Sequence, residues 1–375
     1  MLFRSPHDRI AHHFAAAGDT HQAAVSFEAA GLRATQLAAH QEAIDHFEAA
    51  LEMMQQAVED HASLTKQLEL SRMIGAQMIA FRGHPTGEAE PLYLRTRNLA
   101  LSLDNTEEVV RADWGIWSAA LLRADFANLS GYTQTIRDLA TQSPGSVWKP
   151  AVHFMEGVHA LYTGAIELAR TTLSAGVATC RSEDQLEYER QFGMDFSLTL
   201  RSYLAWSHAL LGEEAQTIET IDQSLRRADE INHDFAYTFA NVFGATACVF
   251  LEHHSAQERI AAAQFWAGRG NKTIWRAQVD ILAGRHASLT GDPNGLELMQ
   301  NGLSAYQKAG SVLARPYAGA WIGEALVRQG DVHAAQRVLE ETLAFTRQTG
   351  VCYFDRSLKH WLEKSRTDVK RTAPI

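Results

Sequence analysis

Apolar residues recur three and four positions apart along nearly the whole chain, with Ala, Leu, Glu, Gln and Arg abundant around them. That spacing is the period of an amphipathic helix built from good helix formers. No alternating β-branched run bounded by Asn-Gly or Asp-Gly, the mark of a strand hairpin, breaks the pattern. Proline agrees. Of eight prolines, none falls between Pro150 and Pro293, and a helix interior is where proline removes a hydrogen bond and clashes with the preceding turn. The pattern predicts an all-α chain.

A unit repeats within it. Gly18 is followed by Ala23, Phe27 and Ala30 at offsets of five, nine and twelve; Gly164 by Ala169, Leu173 and Gly176; Gly330 by Ala335, Leu339 and Thr342. Ala39 leads Ala43, Phe47 and Ala50 in a related register without the glycine. Gly212 leads a weaker copy, Thr217, Ile221 and Ser224, and Gly291 a weaker one still, Leu296, Gln300 and Leu303. The glycine closes one helix in a left-handed conformation that carries no Cβ penalty. Asp19, Thr20 and Asp331 are candidate N-caps for the helix that follows. The small residue five positions on lets paired helices approach, and the large one four later fills the space between them. One such hairpin cannot bury its apolar face alone, so copies stack into an array.

This spacing resembles a divergent tetratricopeptide repeat. Strict copies recur about every 34 residues, whereas Gly164 to Gly212 spans 48 positions and Gly291 to Gly330 spans 39, so some helices are longer or carry inserted turns. The expectation is an α-solenoid of roughly seven to nine hairpins wound as a right-handed superhelix, with a closed helical bundle as the competing architecture. It covers 1–364 as one array, with candidate sub-boundaries near 83–91, 143–150 and 291–295, and leaves 365–375 as a frayed basic tail.

A narrower resemblance rests on His7-Asp8-Arg9-Ile10-Ala11-His12-His13-Phe14, Ala16-Ala17-Gly18-Asp19, Phe27-Glu28-Ala29-Ala30-Gly31 and Glu42-Ala43-Ile44-Asp45-His46-Phe47. Gly193-Met194-Asp195, Ser202-Tyr203-Leu204-Ala205-Trp206, Arg315-Pro316-Tyr317 and Glu324-Ala325-Leu326 extend it towards the C-terminus. These stretches resemble the tetratricopeptide region of bacterial multidomain regulators, in which a nucleotide cyclase or protein kinase domain and a signalling ATPase precede the repeats. The resemblance implies a regulatory interaction module, either free-standing or the C-terminal piece of such a protein, with a protein partner or an upstream ATPase or cyclase domain.

Charge narrows the partners. The 375 residues carry 34 Lys and Arg against 44 Asp and Glu, a formal net charge of −10, which argues against a long nucleic acid or an anionic membrane as partner. No run of eighteen apolar residues is present, Val242 to Leu251 being the longest candidate. The N-terminal residues reach charge and proline before any apolar leader forms. Cys180, Cys248 and Cys352 are too sparse for a disulfide framework or a metal pair. A cytoplasmic protein is expected.

Catalytic, cofactor and metal residues are not expected. Gly268-Arg269-Gly270-Asn271-Lys272-Thr273 imitates a phosphate loop, but its lysine does not follow a glycine and no strand precedes it. His12-His13 and His253-His254 are adjacent pairs that a helix turns about 100° apart. Glu183, Asp184, Glu187 and Glu189 read as a solvated helix start. The aromatics offer more. Trp114, Trp117, Tyr203, Trp206, Tyr237, Trp266 and Trp275 crowd the central repeats; core packing explains them, and so would an aromatic groove that grips an extended peptide or a small ligand, with Arg111, Arg123, Arg201, Arg226 and Arg227 supplying charge. The expected function is a non-catalytic scaffold for protein–protein interaction, the alternative a module that senses a small effector.

Overall fold

The computed structural model describes residues 6–37, 39–56, 60–82, 89–142, 148–269 and 273–372. Among them the chain is all-α, with nineteen α-helices, a short 3-10 turn and no strand. It divides into two compact units, residues 1–119 and 120–375. Of the expected sub-boundaries, residues 83–88 and 143–147 are outside the described residues, as are 270–272 of the phosphate-loop imitation, and 291–294 form the turn that leads into a helix beginning at Gly295.

The first unit holds α1 (Pro6–Ala16), α2 (Thr20–Gln36), α3 (His40–Gln55), α4 (His61–Arg82), α5 (Glu90–Ser102) and most of α6 (Thr106–Leu122). The Asp19 carboxylate accepts from the Gln22 amide at 3.0 Å and so caps α2, with Thr20 already inside the helix. Ala23 and Phe27 of α2 share one core with Ala43, Phe47 and Ala50 of α3 and with Leu70 and Ile74 of α4, and Ala30 is buried beside them. Burying each phenylalanine contributes about 1.5–3 kcal/mol. The Phe47 ring lies 2.6 Å from where a Cβ on Gly31 would stand, so the helices meet this closely only because residue 31 has no side chain.

The second unit opens with the end of α6 and continues with α7 (Leu129–Gln142), α8 (Trp148–Tyr162), α9 (Ile166–Thr179), α10 (Gln185–Phe192), α11 (Phe196–Leu211), α12 (Glu214–Ile231) and α13 (Asp234–Phe250). It ends with α14 (Ala256–Ala267), α15 (Thr273–Leu289), α16 (Gly295–Lys308), α17 (Arg315–Gln329), α18 (Val332–Thr349) and α19 (Asp355–Thr372). Helices α8, α11, α13, α15, α17 and α19 touch in succession and form one layer; α9, α12, α14, α16 and α18 pack against them as the second. The turns at Gly164 and Gly330 are left-handed, with φ of +83° and +84°. Ala169, Leu173, Ala335 and Leu339 are all fully buried.

Two features depart from a plain repeat. The 48-residue step from Gly164 to Gly212 contains the additional short helix α10 between α9 and α11. The stretch expected as a frayed tail is instead helical as far as Thr372, because Leu362 and Ser365 are buried on α19 and anchor it. No helix among the described residues is long and apolar enough to cross a membrane.

Candidate interaction surfaces

The seven aromatics of the expected groove do not form one exposed surface. Trp114 and Trp117, on α6 in the first unit, are buried and stack at 5.6 Å. Tyr203 and Trp206 of α11 are buried in the first layer of the second unit. These four are core, because neighbouring helices cover the faces that carry them. Trp275 is half-buried against Phe235 and Phe239. Only Tyr237 and Trp266 make a surface feature. Their rings lie parallel at 4.3 Å, next to Phe265, which is 60% exposed, and under the Arg269 guanidinium, which Asp234 holds at 3.0 Å.

The first layer of the second unit closes on itself. The Cys352 amide donates to the Tyr162 carbonyl at 2.9 Å, and the Val312 amide to the Leu122 carbonyl at 2.9 Å. Both pairs are 190 positions apart (352 less 162, 312 less 122). Rings fill the space thus enclosed. Tyr162 meets Tyr203, Trp206 and Tyr353, and Phe250 meets Tyr317, Trp321 and Phe354. Burial raises the hydroxyls of Tyr162, Tyr203, Tyr317 and Tyr353 above the ordinary tyrosine range, and that of Tyr306 to about 12, so each stays a protonated donor. Trp206 Nε1 and the Tyr317 hydroxyl, buried on the same layer, have no acceptor among the described residues. Each orphaned donor costs about 1–3 kcal/mol.

The candidate arginines serve the scaffold. Arg227 is buried and grips Asp195 through two nitrogens at 2.7 and 3.3 Å, while the same carboxylate caps α11 at the Leu198 amide. Arg111 pairs with Glu107 and Glu108, and Arg201 donates to the Ser197 carbonyl on its own helix. Arg123 also has a partner, and nothing brings Arg226 to the others. The histidine pairs are likewise absorbed locally, His12 by Asp8 at 3.3 Å and His253 by Ser255 at 2.8 Å. Among the described residues no group of three or more His, Cys, Asp or Glu side chains is placed to hold a metal ion.

A groove that the sequence reading missed lies in the first unit. It has a volume of about 430 Å³ and runs between α2 and α4, lined by Val25, Glu28, Met54, Asp60, Lys66 and Leu70 among others. Val25 is 48% exposed, unusual for a β-branched residue on a packed helix. Lys66 spans the groove, donating to Glu28 at 2.7 Å and to Glu69 at 3.1 Å. Val25 was the available signal: seven positions after Gly18 it stands where the copies led by Gly164 and Gly330 have Thr171 and Arg337.

No family model matches the chain, and no curated protein matches its sequence. Among solved structures the chain is similar to a Rap protein complexed with Competence and Sporulation Factor, at 8% identity and a TM-score of 0.52, over 92% of this chain and 99% of that one. A circular tandem repeat protein with a novel repeat topology aligns over 97% of this chain and 94% of its own at 14% identity, but with a TM-score of 0.22, too loose to bear on the fold. The likeness to the Rap protein shows a shared all-α, helical-repeat fold.

Proposed function

We propose that the chain is a non-catalytic helical-repeat scaffold that binds a partner protein in the cytoplasm, as a regulatory module of a signalling ATPase or cyclase system. The observation that carries the reading is the groove between α2 and α4, where Val25 and Met54 are presented beside the Glu28–Lys66 pair. An open apolar floor with a charged rim is the composition of a protein-binding surface. The similar Rap structure holds a bound factor, which supports a binding role for this architecture. The likeness of the His7–Phe14 and Phe27–Gly31 stretches to cyclase-linked regulators supports the signalling context. The test compares the purified chain with Val25→Asp, using tagged bait and mass spectrometry. Partners held by the wild type and lost by the groove variant support the reading. Identical retention by both, or hydrolase, transferase or cyclase turnover by the purified chain, defeats it.

A second reading, a sensor of a small effector, is supported by the orphaned donors of Trp206 and Tyr317. It expects a saturable thermal shift with a metabolite and no protein present.

A further inference from the structure

The residues between α18 and α19 behave as a guest within their own unit. After Gly350 ends α18 in a left-handed conformation, the chain stays non-helical until α19 begins at Asp355. In that short stretch the Cys352 amide donates to the Tyr162 carbonyl at 2.9 Å, and the Cys352 thiol to the Thr163 carbonyl at 3.0 Å. Tyr353 donates its hydroxyl to the Leu313 carbonyl at 2.9 Å and lays its ring 5.4 Å from Tyr162 and 6.1 Å from Trp206. Phe354 rests 5.3 Å from Phe250 and 6.3 Å from Tyr317. Val351 is fully buried. A segment with one backbone amide bonded to this layer and two adjacent aromatic side chains thus covers an aromatic lining contributed by α8, α11, α13 and α17. The hydrogen bonds available to that lining are not all used. Trp206 Nε1 and the Tyr317 hydroxyl, on residues 2% and 0% exposed, are buried without acceptors among the described residues, and their rings lie 6.1 Å from Tyr353 and 6.3 Å from Phe354.

We propose that residues 350–354 are a strap occupying a peptide site of the second unit, and that an extended peptide with adjacent aromatic side chains displaces it, its backbone carbonyls accepting from Trp206 and Tyr317. The strap shows which chemistry the lining accepts, and the two orphaned donors show what the strap does not supply. This inference rests on the scaffold reading and deepens it by naming a class of partner and the element that gates access. Because the strap competes from within the same chain, apparent affinity equals intrinsic affinity reduced by the fraction of molecules in which the strap is released.

The probe is a fluorescein-labelled peptide, Gly-Val-Ser-Tyr-Phe, copying residues 350–354 with serine in place of the thiol, read by anisotropy against the full chain. Tyr353→Ala weakens the strap, and apparent affinity rises by about tenfold or more over the wild type. Gly164→Cys locks it, since a Cβ at that position stands 3.4 Å from the Cys352 sulfur. With diamide as oxidant the locked form loses peptide binding, and a reductant restores it. The reduced form also controls for the backbone strain of a side chain at this left-handed position. If circular dichroism shows that Tyr353→Ala does not fold, the oxidised and reduced forms of Gly164→Cys decide alone. Equal affinity in those two forms overturns the proposal, as does absence of binding by the folded, reduced protein. Neither result touches the scaffold reading, which stands or falls on the Val25 comparison in the other unit.

Discussion

The Val312 amide donates to the Leu122 carbonyl at 2.9 Å, so the turn between α16 and α17 is tied to the end of α6, 190 positions earlier. In a stacked array each repeat touches only its neighbours, and stability is a sum of local terms. Here the turn between α18 and α19 is also tied to the turn between α8 and α9, through Cys352 and Tyr162, and the second unit gains contacts that no nearest-neighbour account contains. Ending the chain after Thr349 is therefore expected to speed amide exchange at the C-terminus of α8 and the start of α9, as well as in α17 and α18. Hydrogen exchange read by mass spectrometry checks this. Acceleration confined to α17 and α18 would mean the long-range ties contribute nothing.

Glycines within the helices set how closely the hairpins pair. A Cβ on Gly31 would stand 2.6 Å from the Phe47 ring, one on Gly157 2.6 Å from Leu173 Cγ, and one on Gly323 2.5 Å from Leu339 Cγ. Each glycine lies 16 positions before the large residue it faces. At Gly284 the obstacle is backbone, the Met299 nitrogen at 2.6 Å. Alanine favours a helix by about 1 kcal/mol over glycine, but overpacking costs about 1–3 kcal/mol. Gly323→Ala is expected to destabilise by about 1 kcal/mol in the wild-type background and by less where Leu339 is already alanine, a change that itself costs about 2–5 kcal/mol. Gly284→Ala should cost more, because rotating a side chain cannot relieve it. Urea denaturation of the single and double variants measures both.

The buried pair of Arg227 and Asp195 joins the last turns of α12 to the first turn of α11. Asp195 also caps α11, so its charge is needed whether or not the arginine is present. Arg227→Met leaves that carboxylate buried beside an apolar side chain, and removing one partner of a buried pair costs about 3–5 kcal/mol. The expected outcome is a loss of that size in chemical denaturation, mostly retained in Arg227→Lys because lysine cannot reproduce the two-nitrogen grip. A change below about 1 kcal/mol would place the pair with ordinary surface ion pairs.

The helix class and the hairpin register were legible because they are encoded locally. The small and large residues at Ala23 and Phe27, or Ala335 and Leu339, specify contacts within one hairpin, and the glycine before each marks its turn. The 16-residue glycine pairing stands in the sequence too, but a glycine inside a helix carries no local mark of close approach, because the ring or side chain it admits comes from the next helix. The fate of the aromatics was not legible. Helical period says which face of α11 is apolar, but not that Tyr353 arrives from far along the chain to cover Trp206. Trp266 escapes such cover and stacks on Tyr237 near the surface. Whether a Trp becomes core or surface is decided by a closure that no local pattern records.

Two histidines of α8 give the fold a pH dependence of definite sign. Burial lowers the affinity of His153 for a proton; Glu156 works against that and Lys149 adds to it. Burial likewise lowers His159, whose ring meets the Phe126 edge at 5.4 Å. The unfolded chain takes up protons near the ordinary histidine value of about 6.5, while the folded chain resists them. Stability is then full above that value and declines as pH falls below it, because the unfolded state binds more protons. The melting temperature is expected to drop between pH 7.5 and pH 5.5, and His153→Gln with His159→Gln should make the drop smaller. The informative quantity is the difference between variant and wild type at each pH. If the two curves stay parallel, burial of these imidazoles does not control the response.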